Sequence, residues 1–217
     1  RRKIMLFEQV RTGGDRNFGY FLADSERGCS AIVDPSGQPE LFFELNDRHR
    51  TELRYVICTH GHYDHTGGAR ELARQSSALV VMHKLNGDLA DLPVDDGEEL
   101  LLGGLTLRVI YTPGHSNDSI CILCEDILLT GDILFVGKVG GTDLGDGARA
   151  EYDSLHKKLL KLPDGTKVFP GHDYGVAPSS TIGNERKTNP FLLQKNFEDF
   201  VNLKANWAEY KRQHGIK

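Results

Sequence analysis

The chain has no apolar run near the roughly 18–20 residues that span a bilayer. Its opening, RRKIMLFEQV, lacks both a long apolar stretch and a small-residue cleavage site. Neither a transmembrane anchor nor a secretory leader is therefore expected, although the missing initiator Met leaves room for an absent upstream segment. Basic residues are in the minority. A net charge of −5 gives nucleic acid or an anionic membrane no electrostatic gain, so neither is expected as a partner. Cysteine is sparse: Cys29, Cys58, Cys121 and Cys124. Only Cys121-x-x-Cys124 has the spacing of a redox pair or half a zinc site. It lies in SICILCEDILL, a nearly continuous apolar run, and there is no second CxxC, so small core residues are the better reading. No disulfide framework is indicated, which fits the cytoplasm. Repeats, low-complexity tracts and long linkers are also lacking.

What is present is a regular alternation of β-type and helical stretches, punctuated by Gly and Pro. FGYFLAD and SAIVDPS predict a hairpin across the turn-like SERGC. ELFFELNDRHR reads as a helix and RYVICTH as a buried strand, while GGARELARQSS puts Ala69, Leu72 and Ala73 at helical spacing. ALVVMH is the next strand, and DLPVDDGEEL reads as an acidic connection. LTLRVIYTPGH alternates Leu105, Leu107 and Val109 with other residues, and SICILCE and DILLTGD form a strand pair. YDSLHKKLLKLP is a helix with Leu155, Leu159 and Leu160 on one face, and TKVFPGH is the last clear strand. In the tail, Phe197, Phe200, Val201, Trp207 and Tyr210 mark one amphipathic helix, best used by packing on the domain. This order predicts α/β layers, with sheet covered by helix.

Four of these strand-like runs end in metal-binding side chains: RYVICT in His60, LRVIYTPG in His115, DILLTG in Asp132 and KVFPG in His172. Strand ends are rigid, and α/β sheets usually build their sites there. The densest cluster runs from Thr59 to Gly68 and contains His60, His62, Asp64 and His65. His60 and His62 are two apart, so an extended loop can turn both rings toward one centre. Asp64 and His65 can then face a neighbouring one. His115 can complete the first centre and His172 the second, with Asp132 as the bridging carboxylate. Imidazole with carboxylate suits zinc or iron, whereas calcium or magnesium would call for mostly oxygen. Five of the nine histidines fall in this set; His49, His83, His156 and His214 read as ordinary surface or core residues. A closed structural zinc site would use four ligands, often Cys. Seven candidates for two centres leave positions for water or substrate, which is the catalytic arrangement.

The motif THGHYDH resembles the THxHxDH signature of the metallo-β-lactamase superfamily, over roughly residues 1 to 190. That resemblance implies a four-layer αβ/βα sandwich with the metal site along one edge. It implies a catalytic domain over 1–178 and a short C-terminal extension over 179–217 that carries the amphipathic helix. His62 stands where flavodiiron proteins carry Glu, and Asp132 where the main class B β-lactamases carry Cys. The superfamily's nucleases usually hold a large inserted domain for which this chain has no room. TPGHS, GDILFVGKVGGTDL, FPGHDY and NERKTNPFL instead look like the glyoxalase II branch and its relatives, the persulfide dioxygenases. Both branches tend to carry a basic residue where Gly141 stands, in contact with glutathione; Lys138, Arg186 or Lys187 could substitute. Tyr174 matches a family Tyr beside the substrate thiol or the metals.

The resemblance implies an enzyme acting on a small thiol-derived substrate. The leading reading is hydrolysis of a thiolester, hydroxyacylglutathione or a related acyl-thiol, by hydroxide generated at two divalent metals. Zinc is the first choice of metal, with iron or manganese as alternatives. Asp132 and Asp64 are the catalytic carboxylates, and Tyr174, Lys138 and Arg186 the substrate contacts. The second reading is oxidation of glutathione persulfide to sulfite at one Fe(II). Residues matching His60, His115 and Asp132 would hold that iron, and the remaining four would form a polar shell around it. A non-catalytic binding domain is a third reading, opposed by the complete ligand set. A homodimer is open.

Overall fold

The computed structural model describes residues 5–216. Residues 1–4, where the question of an upstream segment arises, and residue 217 lie outside the described residues. The first sheet has the order β1 (Met5–Gly13), β2 (Asn17–Asp24), β3 (Cys29–Val33), β4 (Glu52–Ile57), β5 (Leu79–His83) and β6 (Leu92–Val94). β1 to β3 form an antiparallel meander, and β3 to β6 are parallel. α1 (Pro39–His49) connects β3 to β4, and α2 (Tyr63–Thr66) with α3 (Ala69–Ser76) connects β4 to β5.

The second sheet is built from β7 (Glu99–Leu102), β8 (Leu105–Tyr111), β9 (Ile120–Cys124), β10 (Ile127–Gly131), β13 (Lys167–Pro170) and β14 (Ser180–Thr181). Its order is β14-β13-β10-β9-β8-β7, parallel only between β10 and β13. β11 (Leu134–Phe135) and β12 (Lys138–Val139) pair as a small ribbon after β10. α4 (Asp146–Asp153), α5 (Ile182–Thr188), α6 (Phe197–Ala205) and α7 (Trp207–His214) complete the chain.

Strand alternation decides the layering. In β2, Phe18, Tyr20 and Leu22 face Val109, Ile122 and Leu129 of the second sheet. Phe21 and Ala23, on the opposite face, meet Phe42 of α1 and Leu72 of α3. The outer face of the second sheet, with Cys121, Leu128 and Val168, packs on Leu155, Leu159, Ile182 and Phe200. Each of the Val, Leu, Ile and Phe side chains contributes about 1.5–3 kcal/mol by burial. Three apolar interfaces separate four layers: helix, sheet, sheet, helix. This is the expected sandwich.

The elements differ from the sequence reading in several places. β1 was not foreseen, because as an edge strand it is only half-buried along Met5–Val10 and carries Glu8 and Gln9 on its surface. The supposed connection DLPVDDGEEL holds both β6 and the start of β7, edge strands of opposite sheets, so the chain crosses from one sheet to the other here. Pro93 and the acidic residues disguise them, yet an edge strand tolerates Pro. The helix expected at Tyr152 begins earlier, at Asp146, and continues through a π turn at Ser154–Lys158 and a 3-10 turn at Leu159–Lys161. The single tail helix is two, broken at Asn206, whose φ of −111° and ψ of 18° leave the helical region. All four cysteines are free and buried. Cys121 and Cys124 belong to different interfaces, and burial pushes the Cys121 thiol up to about 12. They are core residues. Among the described residues no helix is long and apolar enough to cross a membrane.

Candidate metal centre

The ends of β4, β8, β10 and β13 come together at one edge of the sandwich, and the chain leaving each carries the residues singled out by spacing. Two groups of three form there: His60, His62 and His115, and Asp64, His65 and His172. In the first, His62 Nδ1 lies 3.0 Å from His60 Nε2 and 3.1 Å from His115 Nε2. In the second, His65 Nε2 and His172 Nε2 are 3.2 Å apart, and Asp64 Oδ2 is 3.5 and 3.3 Å from them. Asp132 stands between the groups. Its Oδ1 is 3.4 Å from His65 Nε2, and its Oδ2 is 3.3 Å from His172 Nε2 and 3.7 Å from His115 Nε2. A third possible set, His60 with His65 and Asp132, overlaps both.

Which ring nitrogen faces inward is set from behind. His65 donates its Nδ1–H to Asp34 Oδ2 at 2.9 Å, His115 to the Gly141 carbonyl at 2.9 Å and His172 to the Asp15 carbonyl at 2.8 Å. His60 Nδ1 is 3.1 Å from Thr59 Oγ1, which in turn donates to Asp34 Oδ2 at 2.7 Å. All four rings therefore turn Nε2 and its lone pair toward the centre. The Asn17 amide donates to Asp64 Oδ2 at 3.1 Å. Gly171 is required by close approach: a Cβ there would stand 2.3 Å from Asp132 Oδ1 and 2.8 Å from His65 Cε1.

Lone pairs aimed at one another across about 3 Å repel unless a proton or a cation lies between them. Asp132 Oδ1 is buried without a hydrogen-bond partner, a costly state for a carboxylate oxygen. Burial, with His65 nearby, pushes the His60 ring down to about 4, which keeps it neutral. Burial opposes ionisation of Asp132, yet His172 and His65 outweigh it and hold the carboxyl well below its usual range. Against burial, the nearby carboxylates push two other rings up instead, Asp34 and Asp132 for His65 and Asp132 for His172. A set of imidazoles and carboxylates so arranged suits a divalent cation bound by nitrogen and oxygen. The donor set fits the metal that the sequence resemblance implies.

The substrate contacts fare unequally. Tyr174 stacks on His172 with centroids 4.5 Å apart, and its hydroxyl donates to Asp15 Oδ2 at 2.5 Å. Lys138 Nζ lies 4.3 Å from the Tyr174 ring centre and Arg16 Cζ 4.7 Å. Burial, with Lys211 and Arg16 nearby, pushes the Lys138 ammonium down. Beside it, Lys138, Gly141, Thr142, Leu144, Phe191 and Trp207 help line a cavity of about 260 Å³. A side chain at Gly141 would meet nothing within 4 Å. Arg186 is not brought to the site. It bonds the Leu160 carbonyl at 2.7 Å and pairs with Asp164, near the start of β13, whereas the site lies at its end. The other four histidines stay outside as well: His49 pairs with Glu8, and His83, His156 and His214 stack on tyrosines.

Sequence reasoning missed Asp34, Asn17 and Asp15. Asp34 was visible only as part of a strand-like SAIVDPS, and nothing local marks it as the partner of residues 25 and 31 positions away.

A family model described as the metallo-beta-lactamase superfamily matches residues 13–172. A hydroxyacylglutathione hydrolase of Anaeromyxobacter dehalogenans (strain 2CP-C) is 34% identical, over 87% of this chain and 86% of the relative. The mitochondrial persulfide dioxygenase ETHE1 of Homo sapiens is 32% identical, over 93% of this chain and 79% of the relative. Among solved structures, ETHE1 from Myxococcus xanthus superposes with a TM-score of 0.88 at 33% identity, covering 93% of this chain and 91% of that one.

Proposed function

This chain belongs to the metallo-β-lactamase superfamily, and from that premise we propose that it is a metal-dependent hydrolase cleaving the thiolester of a small acyl-thiol. The observation that carries this reading is the pairing of the two three-residue groups across Asp132. The three residues of each group would hold one of two metals, with Asp132 between the groups, and positions would remain for water and substrate. Zinc is the proposed metal, with iron or manganese as alternatives. Such metals, when bound, supply hydroxide at neutral pH and polarise a carbonyl oxygen.

The protein's own groups do the rest. Asp132 spans the two groups and fixes their separation. Asp64, held by the Asn17 amide, completes the second group and offers a carboxylate to orient the attacking water. The leaving thiolate needs little protonation, so no separate general acid is called for. Lys138 is half-buried, and among the described residues it pairs with no carboxylate; it is the proposed seat of an anionic group on the thiol carrier. Tyr174, beside His172, is the proposed neighbour of the sulfur.

A second reading, persulfide oxidation at one Fe(II) held by His60, His115 and Asp132, draws support from the close superposition on a bacterial ETHE1. One pair of assays separates the two. Metal-loaded protein is expected to hydrolyse hydroxyacylglutathione or other acyl-thiols, with a loss of at least about 100-fold in Asp132→Ala. Rapid oxygen uptake by the iron-loaded protein with glutathione persulfide, abolished by Asp132→Ala, would overturn the hydrolase reading in favour of the dioxygenase.

A further inference from the structure

Behind the first three-residue group lies a buried ion pair that none of the roles above uses. Lys204 of α6 pairs with Glu151 of α4, and their side chains are 7% and 0% exposed. Lys204 also donates to the Gly140 carbonyl at 2.7 Å. Gly140 is packed so tightly that a Cβ there would come 2.0 Å from the Asp132 carbonyl oxygen and 3.2 Å from His115 Cβ. The next residue, Gly141, provides the carbonyl that receives the His115 Nδ1–H. On the other side, Gly114 touches the backbone of Glu151, where a Cβ would stand 2.5 Å from Glu151 Cα. His115 is thus backed by two short segments, and Lys204 bridges them.

We propose that Lys204 is a positioning residue: it fixes the Gly140–Gly141 segment from the C-terminal extension and so sets the aim of His115 into the metal centre. This rests on the reading of His115 as a metal ligand. A buried ion pair is a poor device for stability, because apolar residues of similar volume serve as well or better. This pair is no exception: Glu151 Oε1 lacks a hydrogen-bond partner, and burial pushes the Glu151 carboxyl up to about 7 despite Lys204. What an apolar pair could not do is donate to the Gly140 carbonyl. Groups that orient a metal-binding His generally act on affinity from outside the ligand set.

The test compares Glu151→Leu/Lys204→Met, Glu151→Gln and Lys204→Arg with the parent chain and with His115→Ala. Three quantities are read: thermal melting, zinc affinity by competition with a chelator, and the visible spectrum of the Co(II)-substituted protein. The double variant removes both charges together, so it is expected to melt near the parent. Its affinity for one of two zinc equivalents should nevertheless fall about tenfold or more, with a shifted cobalt spectrum. Glu151→Gln keeps the Lys204–Gly140 bond and should bind as the parent does, and Lys204→Arg, which keeps a donor for that carbonyl, should retain affinity and spectrum. Parent-like affinity and spectrum in the double variant overturn the proposal. So does a loss of about tenfold or more in Glu151→Gln, which would trace the effect to packing of α4 and decide the matter even if the double variant does not fold. If His115→Ala itself leaves metal binding unchanged, the underlying metal reading fails instead.

Discussion

Single residues around the site divide into those whose type announces them and those whose place does. The histidines and carboxylates of the two groups announce themselves, since His60, His62, Asp64 and His65 crowd into one short stretch. Asp34 does not, yet it holds His65 directly and His60 through Thr59. Asp34→Asn keeps the shape, and Asn tolerates the positive φ of 50° found here. It should weaken zinc binding about 10- to 100-fold in a chelator competition, with the chain still folded; unchanged affinity would remove Asp34 from the orienting shell. Arg186 is the opposite case, a charge that looked available and is spent on two carbonyls and Asp164. Arg186→Ala is expected to cost about 1 kcal/mol in urea unfolding and to leave KM for an acyl-thiol unchanged. A raised KM at full stability would return it to the substrate site.

Among the elements, inner strands of the two sheets were readable because they are rich in apolar residues. β2, β4, β8, β9, β10 and β13 fall close to where the sequence put them. Edge strands lack that signature, since one flank and part of a face are open to water. β1, β6 and β7 were missed for this reason, and the tail was read as one helix because periodicity continues across Asn206. One tie between the sheets was equally invisible. At the end of β2, the Asp24 carboxylate accepts from Gly104 N at 2.6 Å, Glu26 N at 3.0 Å and Arg27 N at 3.1 Å. It thereby fastens the β7–β8 turn of the second sheet to the first. These bonds, Gly104 first, hold its pKa below the ordinary aspartate value. The stability it contributes is therefore present above the unfolded-state pKa and is lost as pH falls through the folded one. Asp24→Asn should cost about 2 kcal/mol at pH 7, with the gap from the parent closing under acid. Denaturant curves at pH 7 and pH 3 that show the same gap would contradict this account.

For the whole molecule, the fold came from the resemblance carried by THGHYDH rather than from periodicity, which gave only α/β layers. The resemblance could not foresee which groups lie behind the ligands, because those contacts join segments far apart in the chain. Each group takes two members from the segment after β4, His60 and His62 ahead of α2 and Asp64 and His65 within it, and one from the chain leaving a strand of the second sheet. Bound metal should therefore stabilise the native state by about 2.7 kcal/mol at 100 times its Kd. Chelation is expected to lower the melting temperature, and added zinc to restore it. A melt indifferent to both would count against the metal centre.

That division of donors also bears on how the chain reaches its native form. With only the first sheet formed, each proposed ion would meet two donors from the short stretch His60–His65, a weak and unselective grip. The third arrives when the second sheet docks and brings His115, Asp132 and His172 into place. If these residues hold metal, its capture and the closure of the sandwich would be coupled, and chains kept short of metal are expected to be the more open to proteolysis.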